Sequence, residues 1–149
     1  MSNEAGLYRL TYVSRNAMAG QARQLDEEIG RILASSRRNN ARIGVTGALL
    51  FSADCFAQAL EGGFAMVQDL FEQIQWDTRH ADTVVLDAGP VARREFASWS
   101  MAYAGRLEDD RFRFDGLAGN RSVADGAAGA GQVMGLLRDV VLRAPPALA

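Results

Sequence analysis

An α/β sandwich, in which two helices cover one face of a mixed sheet, is the fold class this sequence predicts, and three observations carry it. Alternating apolar runs with strand periodicity occupy residues 7–14, 44–52 and 55–62, and apolar stripes at spacings of three and four fall around Ile29–Leu33 and Met66–Ile74. The resulting order is βαββαββ. Right-handed crossovers then place both helices on the same face, giving a ferredoxin-like α+β sandwich with a five-stranded sheet and a C-terminal helical extension.

Leu7 to Ser14 alternates around Leu10, Tyr12 and Ser14 and reads as the first strand, with Arg15 to Gly20 as a polar connection. Leu25, Ile29, Ile32, Leu33 and Ser36 trace the first helix, and Asn40 continues the row of Ile32 and Ser36 at its C-terminal end. Gly44 to Ser52 and Cys55 to Gly62 are strands joined by Ser52-Ala53-Asp54, an antiparallel hairpin. After Gly62-Gly63, Met66, Val67, Leu70, Phe71 and Ile74 mark a second helix ending near Trp76. Thr83 to Leu86 is a fourth strand, Pro90 to Phe96 a connection, and Ser98 to Tyr103 a last strand with Trp99, Met101 and Tyr103 on one face.

Composition shifts after Gly105, which divides the chain into a sandwich at residues 1–104 and an extension at 105–149. The extension is charged, then rich in Gly and Ala, with a capping-box pattern at Ser122 and Asp125. It continues into a stripe of Val133, Leu136, Leu137, Val140 and Val141 closed by Pro145-Pro146. That stripe needs a surface to cover, either the open face of the sheet or the same helix of another subunit.

Several function classes are disfavoured. A single Cys and a single His in 149 residues leave too few ligands for a zinc site and no internal disulfide, which fits a reduced cytoplasmic setting. A net charge of −2 gives no basic field for nucleic acid, and Arg37-Arg38 is only a short patch. The N-terminus lacks a leader pattern and no apolar run reaches the ~20 residues of a membrane span, so a soluble protein is expected. Neither GxGxxG nor GxxxxGK[ST] is present, and the glycines of 126–131 fall in the late linker.

The residue that demands explanation is Gln58. It shares a strand face with Phe56 and Leu60, where an amide buried without partners would cost about 1–3 kcal/mol. Tyr12 on a neighbouring strand, Asn40 on the helix above, and a ligand that both donates and accepts hydrogen bonds are the candidate partners. Taken singly, Tyr12 reads equally well as a core aromatic and Asn40 as a helix C-cap. Arg79 and His80, in Asp77-Thr78-Arg79-His80, follow the second helix where a phosphate or ribityl tail would emerge, or form a plain solvated loop.

These segments together resemble the BLUF family of blue-light sensors using FAD. The resemblance is carried by Leu10-Thr11-Tyr12-Val13-Ser14, Arg38-Asn39-Asn40-Ala41-Arg42, Val45-Thr46-Gly47-Ala48-Leu49-Leu50 and Phe56-Ala57-Gln58-Ala59-Leu60-Glu61-Gly62. Asp77-Thr78-Arg79-His80 and Phe96-Ala97-Ser98-Trp99-Ser100-Met101 complete it, over about residues 7–104. It implies an oxidised flavin, FAD with FMN or riboflavin as alternatives, between the two helices and edged by Gln58 and Asn40. Ser36, Asn39, Arg79 and His80 would be further binding positions.

It further implies that light moves an electron and then a proton from Tyr12 toward the flavin through Gln58, which returns in a different orientation or tautomer, producing a small red shift and thermal recovery. Trp99 or Met101 would feel the change and pass it to the C-terminal helices. The expected output is altered self-association, as a homo-oligomer, or altered binding of an unknown protein partner, without catalysis in this chain. A light-independent flavin redox enzyme and a cofactor-free interaction module are the alternatives. A yellow colour excludes the second, and a reversible light-induced shift without net reduction separates the first.

Overall fold

The computed structural model describes residues 6–18, 22–52, 54–97, 101–106, 114–118 and 131–139. Strands β1 (Leu7–Asn16), β2 (Thr46–Phe51), β3 (Cys55–Gly63), β4 (His80–Pro90) and β5 (Ala102–Arg106) form one sheet in the order β4-β1-β3-β2-β5. Helix α1 (Ala22–Ile43) joins β1 to β2, and α2 (Phe64–Gln75) joins β3 to β4. The four-stranded part, β4-β1-β3-β2, is antiparallel throughout and has the ferredoxin-like order, while β5 adds to β2 in parallel.

Alternation on the strands sorts the apolar side chains into two cores. Leu10, Tyr12, Leu49, Phe51, Phe56 and Leu60 point to one face, where Ile29 and Leu33 of α1 and Val67 and Phe71 of α2 bury against them. Val13, Ala48, Leu50, Cys55, Ala57 and Ala59 point to the other. That second face is covered by the extension: Phe114 and Leu117 from the short helix α3 (Phe114–Ala118), and Val133, Met134, Leu136 and Leu137 from α4, residues 131–139. Of the two surfaces open to the C-terminal stripe, it takes the sheet of its own chain. Ser122, Asp125, Val140, Val141 and Pro145-Pro146 lie outside the described residues.

The ends of α1 and β4 differ from the sequence expectation for local reasons. Asn40 is no C-cap, because α1 runs on to Ile43 and stops at Gly44, whose φ of +72° suits a residue without Cβ. There the Val45 N–H donates to the Asn40 carbonyl at 2.9 Å, the closing bond of a Schellman turn. β4 extends beyond Thr83–Leu86 at both ends, since ladder bonds to β1 compensate for residues of low strand propensity. A bulge sets Asp82 and Thr83 opposite Ser14, and Asp82 absorbs it with a φ of +55°. His80 is therefore a strand residue, not part of a loop. β5 begins at Ala102, so Met101 immediately precedes it, while residues 98–100, including Trp99, lie outside the described residues.

Candidate functional site

The site forms where the polar residues of the helix-side face meet. β1 and β3 pair with Tyr12 directly opposite Gln58, and β2 places Leu49 on the other side of the same amide. The Tyr12 hydroxyl donates to Gln58 Oε1 at 2.5 Å, and Gln58 Nε2 donates to the Met101 Sδ at 3.4 Å. Tyr12, Gln58 and Met101 are all buried. Burial, reinforced by the Asp77 carboxylate, pushes the Tyr12 phenol well above its ordinary pKa, so at neutral pH it is a firm hydrogen-bond donor.

Above this pair, α1 and α2 part to leave a cleft of about 170 Å³. Its walls are apolar where Ile32, Leu49, Phe56, Leu70 and Ile74 line it, and amide-edged where Asn40 and Gln58 do. The Asn40 side chain is buried, and its Oδ1 atom has no hydrogen-bond donor among the described residues. Apolar walls with amides at one edge fit a flat heteroaromatic ring that has donors and acceptors on its rim, as a flavin does. Ser36 and Asn39 line the same cleft from α1.

Charged groups close the far side. Arg79 donates from Nε and Nη2 to both oxygens of Asp77, at 2.6–3.1 Å, and from Nη1 to Glu28 Oε1 at 2.8 Å. The guanidinium holds both carboxyls below their usual range, and they raise its own pKa in return. Arg79 is thus already paired at the cleft, and a phosphate would compete with two carboxylates for it. His80 spans the Ser14 Oγ at 2.7 Å and the Ile74 carbonyl at 2.6 Å. A carbonyl only accepts, so Nε2 carries a proton there and the ring is fixed between β1 and the end of α2.

The structure brings Tyr12, Ser36, Asn39, Asn40, Gln58, Arg79 and His80 to one cleft and seats Met101 against its floor. Four participants were not singled out from sequence for these roles. Glu28 continues the Ile32, Ser36, Asn40 row by one turn, so the i, i+4 pattern contains it. Gln73 lines the cleft from α2. Ser14 and Arg37 could not be found by periodicity, because one depends on the β4 bulge and the other reaches the Met101 carbonyl, at 3.1 Å, 64 positions away.

Fold and site together define a ferredoxin-like sandwich with a ligand cleft between its helices. Residues 7–102 match the family described as sensors of blue-light using FAD, and the chain belongs to this BLUF family. It is 37% identical over 102 residues to the photoactivated adenylate cyclase subunit beta of Euglena gracilis, covering 67% of this chain but only 12% of that far longer protein. Among solved structures it resembles BlrB, a BLUF protein, in its dark state, with a TM-score of 0.67 and 30% identity over 90% of this chain and 97% of that one. It also resembles Klebsiella pneumoniae BlrP1 with FMN and cyclic diGMP, with a TM-score of 0.57 and 33% identity over 68% of this chain and 25% of that one. BLUF domains are flavin-dependent blue-light photosensors, and in the cyclases a catalytic part accompanies the sensor.

Proposed function

We propose that this chain is a blue-light switch in which Gln58 stores the signal and Tyr12 writes it. The observation that carries the reading is the buried Tyr12–Gln58–Met101 chain of hydrogen bonds on the cleft floor. A bound oxidised flavin supplies light absorption and, once excited, the driving force to draw an electron from Tyr12. FAD is the form the family description names, and FMN is the alternative that the BlrP1 resemblance supports. Asn40 and Gln58 would hold the ring edge, and Ser36, Asn39, Arg79 and His80 would support its remainder. Arg79 would take a phosphate in exchange for Asp77 or Glu28.

Tyr12 would give up an electron and, through Gln58, its hydroxyl proton, and would regain both as the charges recombine. That leaves Tyr12 unchanged and only the Gln58 amide altered until the thermal reset. Gln58 can reverse its donor and acceptor ends, because an amide carries both. The resting orientation is biased by its neighbours. The Tyr12 hydroxyl donates to Oε1, whereas the Met101 thioether accepts weakly and cannot donate. A reversed amide would aim its oxygen at that sulfur and lose the contact, so thermal return is downhill.

Output runs through the C-terminal extension, with residues 1–104 as sensor and 105–149 as the element that reports. β1 and β3 carry Tyr12 and Gln58 on one face and Val13, Ala57 and Ala59, packed under the extension, on the other. A shift in either strand reaches both. The consequence is a change in self-association or in binding another protein, with no catalysis in these residues. The test is an absorption spectrum of the flavin-loaded chain before and after blue light, then scattering in both states. A reversible red shift of the flavin band is expected in wild type and lost in Gln58→Leu; full retention in Gln58→Leu would refute the reading.

A further inference from the structure

Glu61 is the one acidic side chain among the described residues that is fully buried, and it lies on the sheet face opposite the cleft. Its Oε1 accepts from Thr46 Oγ1 at 3.2 Å and from the Phe96 N–H at 3.0 Å. Its Oε2 accepts from the Glu95 N–H at 2.7 Å and from Arg9 Nη1 at 3.4 Å. Arg94 tightens the same clasp by donating to Thr46 Oγ1 at 3.0 Å and to the Glu61 carbonyl at 3.4 Å. Burying a carboxylate is costly, and two backbone N–H groups, a hydroxyl and a guanidinium are the donors that offset it.

The clasped segment ends five residues before Met101, whose sulfur meets Gln58. Phe96 anchors it further in the core beneath the extension. At the other end Arg37 Nε holds the Met101 carbonyl, and the Met101 methyl packs over Gly47. A Cβ at Gly47 would collide with the Ala59 carbonyl oxygen, so the neighbouring strand requires glycine there, and the Met101 methyl rests against it at van der Waals distance. Glu61 thus holds residues 95 and 96, while Arg37 and the Gly47 floor hold Met101.

We propose that Glu61 is a positioning residue for the photoswitch: it fixes the 94–96 turn and thereby seats Met101 against the Gln58 amide. This rests on the reading of Gln58 as the switch. Loosening the turn frees the sulfur, removes the bias toward the resting amide orientation, and slows the return to darkness.

The test uses the full flavin-loaded chain with Glu61→Gln, Met101→Leu and the double variant, and Thr46→Val as a milder change in the same clasp. Glu61→Gln should slow dark recovery by about threefold or more, and should add little when Met101 is already Leu, since the two act through one contact. A merely structural role would lower the melting temperature while leaving recovery unchanged, or slow it equally in both backgrounds. Either result overturns the proposal. Where Glu61→Gln folds poorly, Thr46→Val should give the same non-additivity at smaller size. The NMR signal of the Met101 ε-methyl group, recorded in darkness, separates this inference from the switch itself. It should shift in Glu61→Gln even if no light response exists, and an unshifted methyl would reject the Glu61 assignment.

Discussion

Tyr12→Phe removes one hydroxyl and leaves Gln58 Oε1 without its donor in a buried site. The cost should be about 1–3 kcal/mol in urea unfolding of the flavin-free chain, with flavin still bound on loading and the light-induced shift abolished. The raised pKa of the same phenol adds a pH signature. The unfolded chain ionises near pH 10 while the folded phenol stays protonated, so stability is complete below about 10 and falls by about 1.4 kcal/mol per unit as pH rises above it. Tyr12→Phe should flatten that alkaline limb in urea midpoints. Asp77 works with the opposite sign. Its carboxyl is held low by Arg79, so its contribution is present above the unfolded value near 4 and is lost as pH falls through the folded one. Arg79→Gln should flatten the acid limb below about pH 4, and an unchanged limb would show that this partly exposed cluster is screened to nothing.

Among the elements, α1 decides most of the site, because one helix face carries Ile32, Ser36 and Asn40 in register with the cleft. Its C-terminal turn depends on Gly44, and Gly44→Ala should cost about 1 kcal/mol in urea midpoint analysis while Gly44→Asn costs less. That row of α1 was legible from spacing alone, as were β1, β3 and the α2 stripe, because each is amphipathic with its own period. β4 was legible only at Thr83–Leu86. Its flanks, His80-Ala81-Asp82 and Ala88-Gly89-Pro90, have little strand preference and extend the strand only because β1 offers a complete ladder. The role of His80 followed the same course, since the bulge at Asp82 and Thr83 sets it opposite Asn16, from where its ring reaches the Ser14 hydroxyl.

At the scale of the whole molecule, the sheet is a shared wall between a ligand cleft and the C-terminal extension. Leu137 is fully buried against the face opposite the cleft, and Leu137→Ala should destabilise the chain by about 2–5 kcal/mol in urea unfolding. Two residues, Asp54 and Arg15, fasten α3 to the sheet. Asp54 Oδ2 accepts from the Phe114 N–H at 2.6 Å, and Arg15 lies 4.2 Å over the Phe114 ring while pairing with Asp82 and Asp115. If the extension reports the light state, hydrogen exchange at residues 131–139 should rise under illumination in wild type and remain at its dark value in Gln58→Leu. By itself the sequence determined the alternation that sorts Gln58 onto a buried face, the helical row ending in Asn40, and the family motifs, because these are local periodicities that each segment carries alone. Only the tertiary structure decided that Tyr12 lies opposite Gln58, that Arg79 is already paired, that Met101 supplies the weak acceptor, and that the last helix covers its own sheet. Those facts depend on strand register, a bulge and long-range packing, which no single segment encodes.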